Sequence, residues 1–382
     1  MKRLLATTML ILPTMFCAAA PAWTQSAFTT PAPHAIILDH KTGTVLFEKD
    51  ARRPIAPASM TKIVTAELVF DAIRKGRITL DTEFTVSEEA WRRGGAKSGS
   101  STMFLELGSK VAVKDLLRGI IIQSGNDACI VLAEGLAGSE TAFADMMTQH
   151  ARSLGFNTAT FRNATGWPHP EHNISLHDLA RYAQRSVAEY PEFYSLYAEK
   201  SFTWNGITQS NRNPLLGKLT GADGLKTGHT EASGYGLVGS ALRGDDRRII
   251  VVNGLSSKSE RRNEGIRLMQ ASFDSFDVYN LYSAGEVVGS VDVFMGLEPK
   301  VDAVVSEDIM SGLYRADRTR LKTQIRYKTV AAPVEKGDVI ADLLVQEPGR
   351  DLRIIPLVAA NSIKQKSAFS RAISVLVSKV RG

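Results

Sequence analysis

The chain has 382 residues, of which 44% are hydrophobic and 23% charged, and it carries a formal net charge of +6. That length allows one large domain and a smaller one with a sizeable core, and the composition excludes disordered, collagen-like and coiled-coil classes. The basic excess is mild and spread along the chain, without the clustered patch that nucleic-acid binding requires; an anionic surface or acidic polymer remains a suitable partner.

At the N-terminus, Lys2-Arg3 precede an apolar run from Leu4 to Phe16, followed by Ala18-Ala19-Ala20-Pro21-Ala22. This is the pattern of a secretory signal peptide over residues 1–22, for which cleavage after Ala22 fits an A-x-A site without fixing the bond; the apolar run falls short of the roughly 20 residues that span a bilayer, which argues against a membrane anchor. Removal of Lys2 and Arg3 lowers the net charge to +4. Cys17 leaves with that segment, and the bulky Phe16 before it argues against lipidation, so Cys129 is alone in the mature chain and no intramolecular disulfide is expected. Flanked by Ala128 and Ile130-Val131-Leu132, Cys129 reads as a small core residue without chemistry.

The catalytic-sized portion runs over residues 23–276. Two strands, at 35–39 and 44–48, are joined by the loop His40-Lys41-Thr42-Gly43. Pro54, Pro57 and Ala58 lead into a helix ending near Gly76, with apolar positions Ile63, Ala66, Leu68, Val69, Ala72 and Ile73, which puts Ser59 in its first turn. Helices are predicted at 113–122, 128–136, 140–154 and 176–188, and antiparallel strands at 235–241 and 248–252 around the turn Gly244-Asp245-Asp246. An early hairpin, a helical middle and late strands define an α/β (α+β) domain, one antiparallel sheet built from both ends with helices packed on it. Over 277–361 short alternating segments between Gly and Pro turns predict a small all-β domain, read as a spacer or adaptor. In the tail, 362–382, Phe369, Ile373, Leu376 and Val380 share one helical face and basic residues the other. This amphipathic helix either lies on an anionic membrane surface or docks on the β-domain.

Three short segments carry chemistry: Ser59-Met60-Thr61-Lys62, Ser124-Gly125-Asn126 and Lys226-Thr227-Gly228. A serine hydroxyl needs a base within hydrogen-bond reach, and the i, i+3 spacing sets Lys62 beside Ser59. A lysine at its ordinary pKa is protonated and cannot act as a base, so Lys62 must be desolvated or set beside a second cation, for which Lys226 is the candidate. Ser124 can relay a proton to a leaving amine and Asn126 can hold a substrate amide, although Asn126 or Asp127 also suits a helix cap. Lys226, Thr227 and Gly228 on a strand edge can receive an extended peptide and its carboxylate, with the backbone N–H groups of Ser59 and His229 as the oxyanion hole.

The segments Pro57-Ala58-Ser59-Met60-Thr61-Lys62, Ser124-Gly125-Asn126-Asp127-Ala128-Cys129, Phe202-Thr203-Trp204-Asn205-Gly206, Asn211-Arg212-Asn213 and Gly224-Leu225-Lys226-Thr227-Gly228-His229-Thr230 together resemble the blocks of the low-molecular-mass penicillin-binding proteins of the D-alanyl-D-alanine carboxypeptidase type. The resemblance covers essentially the whole mature chain. It implies a serine β-lactamase/transpeptidase-like domain that removes the terminal D-alanine from peptidoglycan stem pentapeptides through an acyl-enzyme on Ser59, with Lys62 as base, Ser124 as relay and Lys226 as a carboxylate contact. It further implies covalent inhibition by β-lactams, no metal or cofactor, a periplasmic location, and attachment through the C-terminal helix to anionic lipids of the inner membrane. Arg261 resembles the family's late arginine near the carboxylate pocket, with Arg262 as the competing register. The alternatives are an endopeptidase acting on cross-links, a class A β-lactamase using Glu171, and a penicillin-binding sensor that does not turn over.

Overall fold

The computed structural model describes residues 27–367. The predicted signal peptide, and the predicted tail helix beyond Ser367, lie outside them.

Five antiparallel strands form the central sheet, in the order Val45–Lys49, His34–Asp39, Asp246–Leu255, Gly234–Arg243 and Ala222–Thr230. The two ends of the domain meet in its middle, with His34 opposite Asn253 and Asp39 opposite Arg248. Ile36, Leu38, Ile249 and Val251 enter one core, whereas Ile37, Ile250 and Val252 enter another on the opposite face. Continuous apolar runs such as Ile249-Ile250-Val251-Val252 suit these strands because successive side chains point to opposite faces and both faces are covered. Helices Lys62–Arg74, Asn126–Ala137, Glu140–Ser153 and Leu176–Ala188 belong to the first core. Helix Lys258–Asp274 covers the other face through Leu268 and Met269. That last helix has no counterpart among the predicted elements, although its cap is written locally: Ser257 accepts from the Glu260 N–H at 3.0 Å, and the Glu260 carboxylate accepts from the Ser256 N–H at 2.7 Å.

The β-domain follows. Strand Phe276–Tyr282 pairs with Ile309–Tyr314, and a six-stranded sheet runs in the order Lys322–Tyr327, Val339–Gln346, Arg353–Ala359, Lys300–Val304, Val287–Phe294 and Val330–Ala331. Val291, Val301, Leu343, Val345 and Leu357 form its core. The domains are packed together. Phe28 and Phe47 of the first meet Phe276 and Tyr314 of the second, with Phe28 centroids 5.1 Å from Phe47 and 4.9 Å from Phe276. No helix among the described residues is long and apolar enough to cross a membrane.

Candidate active site

Ser59 sits on a 3₁₀ turn, Ala58–Thr61, that runs directly into helix Lys62–Arg74, a tighter arrangement than the first α-helical turn predicted from sequence. Ser59 is half-buried and Lys62 fully buried. Lys62 Nζ lies 3.0 Å from Ser59 Oγ, 2.8 Å from Asn126 Oδ1 and 2.6 Å from the carbonyl oxygen of Thr165. Burial pulls the Lys62 amine down to about 8, and the Arg212 guanidinium contributes in the same direction. Arg212 is thus a cationic neighbour that the sequence reading did not assign to Lys62.

The segment carrying Ser124 follows a π-helical turn, Gly119–Gln123, and Ser124 itself adopts a left-handed conformation with φ of 60°. Gly125 is the cap of helix Asn126–Ala137, so neither Asn126 nor Asp127 plays that part. Asp127 instead accepts from Thr102 Oγ1 at 2.6 Å and from the N–H groups of Met103 and Leu105 at 2.8 and 3.1 Å, holding residues 102–105 against the helix. Asn126 donates to Ser100 Oγ at 3.0 Å.

Strand Ala222–Thr230 is the sheet edge that faces the Ser59 turn. Their approach depends on Gly228, where a Cβ would stand 2.7 Å from the Pro57 carbonyl oxygen and 3.1 Å from Met60 Cγ. Lys226 is buried behind the cleft wall, and burial together with the Lys62 and Arg212 charges holds its amine well below the usual lysine range. Thr227, Gly228 and His229 line the cleft, and the His229 ring stacks on Tyr235 with centroids 3.9 Å apart. Arg261 projects into the same space, its guanidinium 5.5 Å from the Tyr235 ring centroid and its Nε without a hydrogen-bond partner, whereas Arg262 is exposed and bonds Ser259 and Asn263. Of the two neighbouring arginines, Arg261 lines the cleft and Arg262 does not.

The resulting cleft, of about 610 Å³, is lined by Ser59, Ser124, Arg212, Thr227, His229 and Arg261 among others. It offers a hydroxyl contacting a buried amine at its floor and two guanidinium groups for an anion. Asn126 and Lys226 stand behind that wall, in contact with Lys62 or coupled to it. Sequence reasoning missed three contributors: Arg212, Lys258 and the Thr165 carbonyl. For Arg212 a local signal exists, because the asparagines flanking it hold main chain: Asn211 Nδ2 donates to the Glu199 carbonyl at 2.9 Å, and Asn213 Oδ1 accepts from the Leu215 N–H at 3.0 Å. Glu171 is exposed, pairs with Arg162 at 3.1 Å and does not line the cleft, so it stands apart from the geometry a class A β-lactamase would require.

An antiparallel sheet with a helical layer carrying a serine turn against an edge strand defines the serine penicillin-recognising class, in which an amide carbonyl is transferred to the serine. A family model described as D-alanyl-D-alanine carboxypeptidase matches residues 21–257, and another, described as penicillin-binding protein 5, C-terminal domain, matches residues 276–365. The chain belongs to the D-alanyl-D-alanine carboxypeptidase family. It is 35% identical over 348 residues to D-alanyl-D-alanine carboxypeptidase DacD of Escherichia coli, spanning 89% of this chain and 90% of that one, and 34% identical over 387 residues to DacA of the same organism, spanning 98% and 96%. Among solved structures, DacD from Francisella tularensis superposes with a TM-score of 0.74 at 29% identity, covering 94% of this chain and 98% of that one. Penicillin-binding protein 5 from Haemophilus influenzae gives 0.68 at 32% identity, covering 88% and 100%.

Proposed function

We propose that this protein is a serine-type D-Ala-D-Ala carboxypeptidase that removes the terminal D-alanine from peptidoglycan stem pentapeptides through an acyl-enzyme on Ser59, and that β-lactams acylate the same hydroxyl. The observation that carries the reading is the set of partners around Lys62. Asn126 Oδ1 and the Thr165 carbonyl oxygen can only accept hydrogen bonds, so a neutral Lys62 amine gives them its two N–H groups and keeps its lone pair for the Ser59 hydroxyl. With its pKa lowered to about 8, a useful fraction of that amine is neutral near pH 7.

In the forward step Lys62 takes the Ser59 proton while Oγ forms a bond to the carbonyl carbon of the penultimate D-alanine. The N–H groups of Ser59 and His229 stabilise the oxyanion. The C–N bond then breaks, and the proton held on Lys62 passes through the Ser124 hydroxyl to the departing amine. Arg261 and Arg212, with Thr227, receive the carboxylate of the terminal D-alanine. Lys226 acts from behind the wall, its charge and that of Lys62 disfavouring each other. Water then attacks the ester, Lys62 accepts its proton, and the C–O bond breaks to return the hydroxyl to Ser59.

The N-terminal segment 1–22 exports the chain, residues 23–276 carry the reaction, 277–361 form the spacer, and the amphipathic segment 362–382 attaches the protein to anionic lipid on the periplasmic side of the inner membrane. The deciding experiment measures free D-alanine released from diacetyl-lysyl-D-alanyl-D-alanine by the mature protein, with and without prior penicillin. Penicillin-sensitive release is expected. Stable penicillin labelling without release would replace the reading with an endopeptidase or a sensor.

A further inference from the structure

The two most exposed large apolar side chains among the described residues are Phe294, 60% exposed, and Leu297, 61% exposed. Both lie at the tip of one hairpin, between strands Val287–Phe294 and Lys300–Val304 of the β-domain. Strand alternation accounts for the first, because Val291 and Val293 point into the core and Phe294 therefore points to solvent. Ala331, also exposed, is its partner across the parallel strand pair and extends the same face. The tip is built rigidly. The Val293 N–H donates to the Pro299 carbonyl at 2.8 Å, and the Ala332 N–H donates to the Phe294 carbonyl at 2.9 Å. Gly296 is buried against the core, where a Cβ would stand 2.8 Å from Ile363 Cγ2. Single exposed apolar residues are ordinary on a protein surface, but here two share one fixed tip.

The same tip holds the start of the tail. The Leu297 N–H donates to the Lys364 carbonyl at 2.8 Å, and the Lys366 N–H donates to the Met295 carbonyl at 2.9 Å. Phe369, the first residue on the apolar face of the amphipathic segment, comes three residues after Lys366, and three residues of chain reach at most about 11 Å. Whatever surface the tail lies on, the tip is tethered within that distance of its start. The charges suit an anionic surface: segments 294–300 and 362–367 carry Lys300, Lys364 and Lys366 against one carboxylate, Glu298, and the tail adds Arg371, Lys379 and Arg381.

We propose that the 294–297 tip is a second membrane-contacting surface, Phe294 and Leu297 entering the interfacial layer of an anionic bilayer beside the tail while Lys364 and Lys366 meet the headgroups. The proposal rests on the reading of the tail as an interfacial helix. Such a helix sinks its apolar face roughly 5–10 Å into the boundary between headgroups and acyl chains, so a tip tethered this close to it meets the same layer. Two side chains are too little to hold the protein without the tail, as single weak anchors give only marginal, reversible binding. Their contribution is added affinity and a fixed stance: the β-domain stands on the bilayer by its tip.

The test uses the mature chain with its tail intact and vesicles containing phosphatidylglycerol. Replacing both side chains, Phe294→Ser with Leu297→Ser, is expected to lower the partition constant about tenfold, since partial burial of two large apolar groups is lost. Phe294→Trp supplies an independent readout, and the introduced indole should be quenched by lipids brominated in their acyl chains beyond the quenching of the unaltered chain. A partition constant within about twofold of the parent's, or quenching no greater than the parent's, would overturn insertion of the tip while leaving the tail as anchor. An indole already shielded from aqueous acrylamide before vesicles are added would show that the tail covers the tip, which overturns it equally. If the unaltered chain does not bind the vesicles at all, the attachment reading itself fails and the tip falls with it.

Discussion

Asn126 Oδ1 accepts from Lys62 Nζ at 2.8 Å while the other end of its amide donates to Ser100 Oγ at 3.0 Å, so the amide is oriented from both sides and presents a neutral acceptor to the amine. A carboxylate in that place would favour the protonated amine. Lys62 works as a base only when neutral, so acylation is expected to rise with pH and reach half its plateau near pH 8. Asn126→Asp should move that midpoint upward by about 1–3 units and lower the rate at pH 7 by a factor of about 10 or more, since an adjacent opposite charge shifts a pKa by that amount. The pH profile of penicillin acylation checks it, and an unmoved midpoint would show that Lys62 is not the titrating base.

Ser59→Ala removes the hydroxyl that Lys62 contacts at 3.0 Å and leaves Lys62 and Ser124 in place. Both penicillin labelling and D-alanine release should fall by at least about 10⁴-fold, as losses of nucleophiles do. Mass spectrometry of the penicillin-treated variant is the readout. Retained labelling would transfer the nucleophile to another residue, with Ser124 the nearest candidate.

Gly228 sets the distance between edge strand and nucleophile turn. Gly228→Ala places a methyl 2.7 Å from the Pro57 carbonyl oxygen, a main-chain atom that cannot swing aside, so strand and turn must part. A shift on the order of 1 Å can cost about 10²-fold in rate, whereas overpacking costs about 1–3 kcal/mol in stability. Acylation should therefore fail in a protein that still melts cooperatively. A rate within about threefold of the parent would mean that the gap between strand and turn is not critical.

What was legible in the sequence follows from how local each relationship is. Ser59 and Lys62 are one helical turn apart, so spacing alone brings them together, and the apolar runs of the central strands announce burial on both faces. The Thr165 carbonyl reaches Lys62 across 103 positions and is a main-chain atom, so no residue type marks it. Arg261 and Arg262 are indistinguishable until the helix bearing them is docked, because neighbours on a helix point about 100° apart and only packing decides which one faces the cleft. Helix Lys258–Asp274 escaped notice because its buried side includes Arg261, Glu264, Gly265 and Ser272 as well as Leu268 and Met269, which is no apolar stripe.

Arg350 joins the two domains. Its Nη2 donates to the Val45 carbonyl at 2.8 Å, and its Nη1 lies 2.6 Å from the carboxylate of Glu347, which also accepts from Ser311 Oγ at 2.7 Å. Glu347 is 1% exposed, so Arg350→Ala strips a partner from a buried charge and cuts the tie to the first domain. A loss of about 3 kcal/mol is expected, short of the full cost of a broken buried pair because Arg353 remains 3.2 Å away. Thermal melting measures it, and kcat/KM on soluble peptide should stay at the parent value because no residue of this clamp lines the cleft. A fall in kcat/KM at full folding would instead mean that domain packing reaches the cleft.

The tail separates two energetic roles. Lys364 offers its carbonyl to the Leu297 N–H at 2.8 Å, and the Lys366 N–H donates to the Met295 carbonyl at 2.9 Å, so the β-domain uses the chain up to Lys366. A chain ending at Ser367 keeps those bonds and loses Phe369, Ile373, Leu376 and Val380 together with Arg371, Lys379 and Arg381. Peptide hydrolysis should be unchanged. Binding to vesicles containing anionic lipid should disappear, and for the full chain it should weaken on neutral vesicles by about 10²-fold, since each basic residue near an anionic surface is worth about 1 kcal/mol. Vesicle co-sedimentation and a thermal melt of both chains decide between the roles. Lost binding at an unchanged melting temperature is the signature of an interfacial helix, whereas a lower melting temperature would show that the apolar face packs on the protein and never reaches lipid.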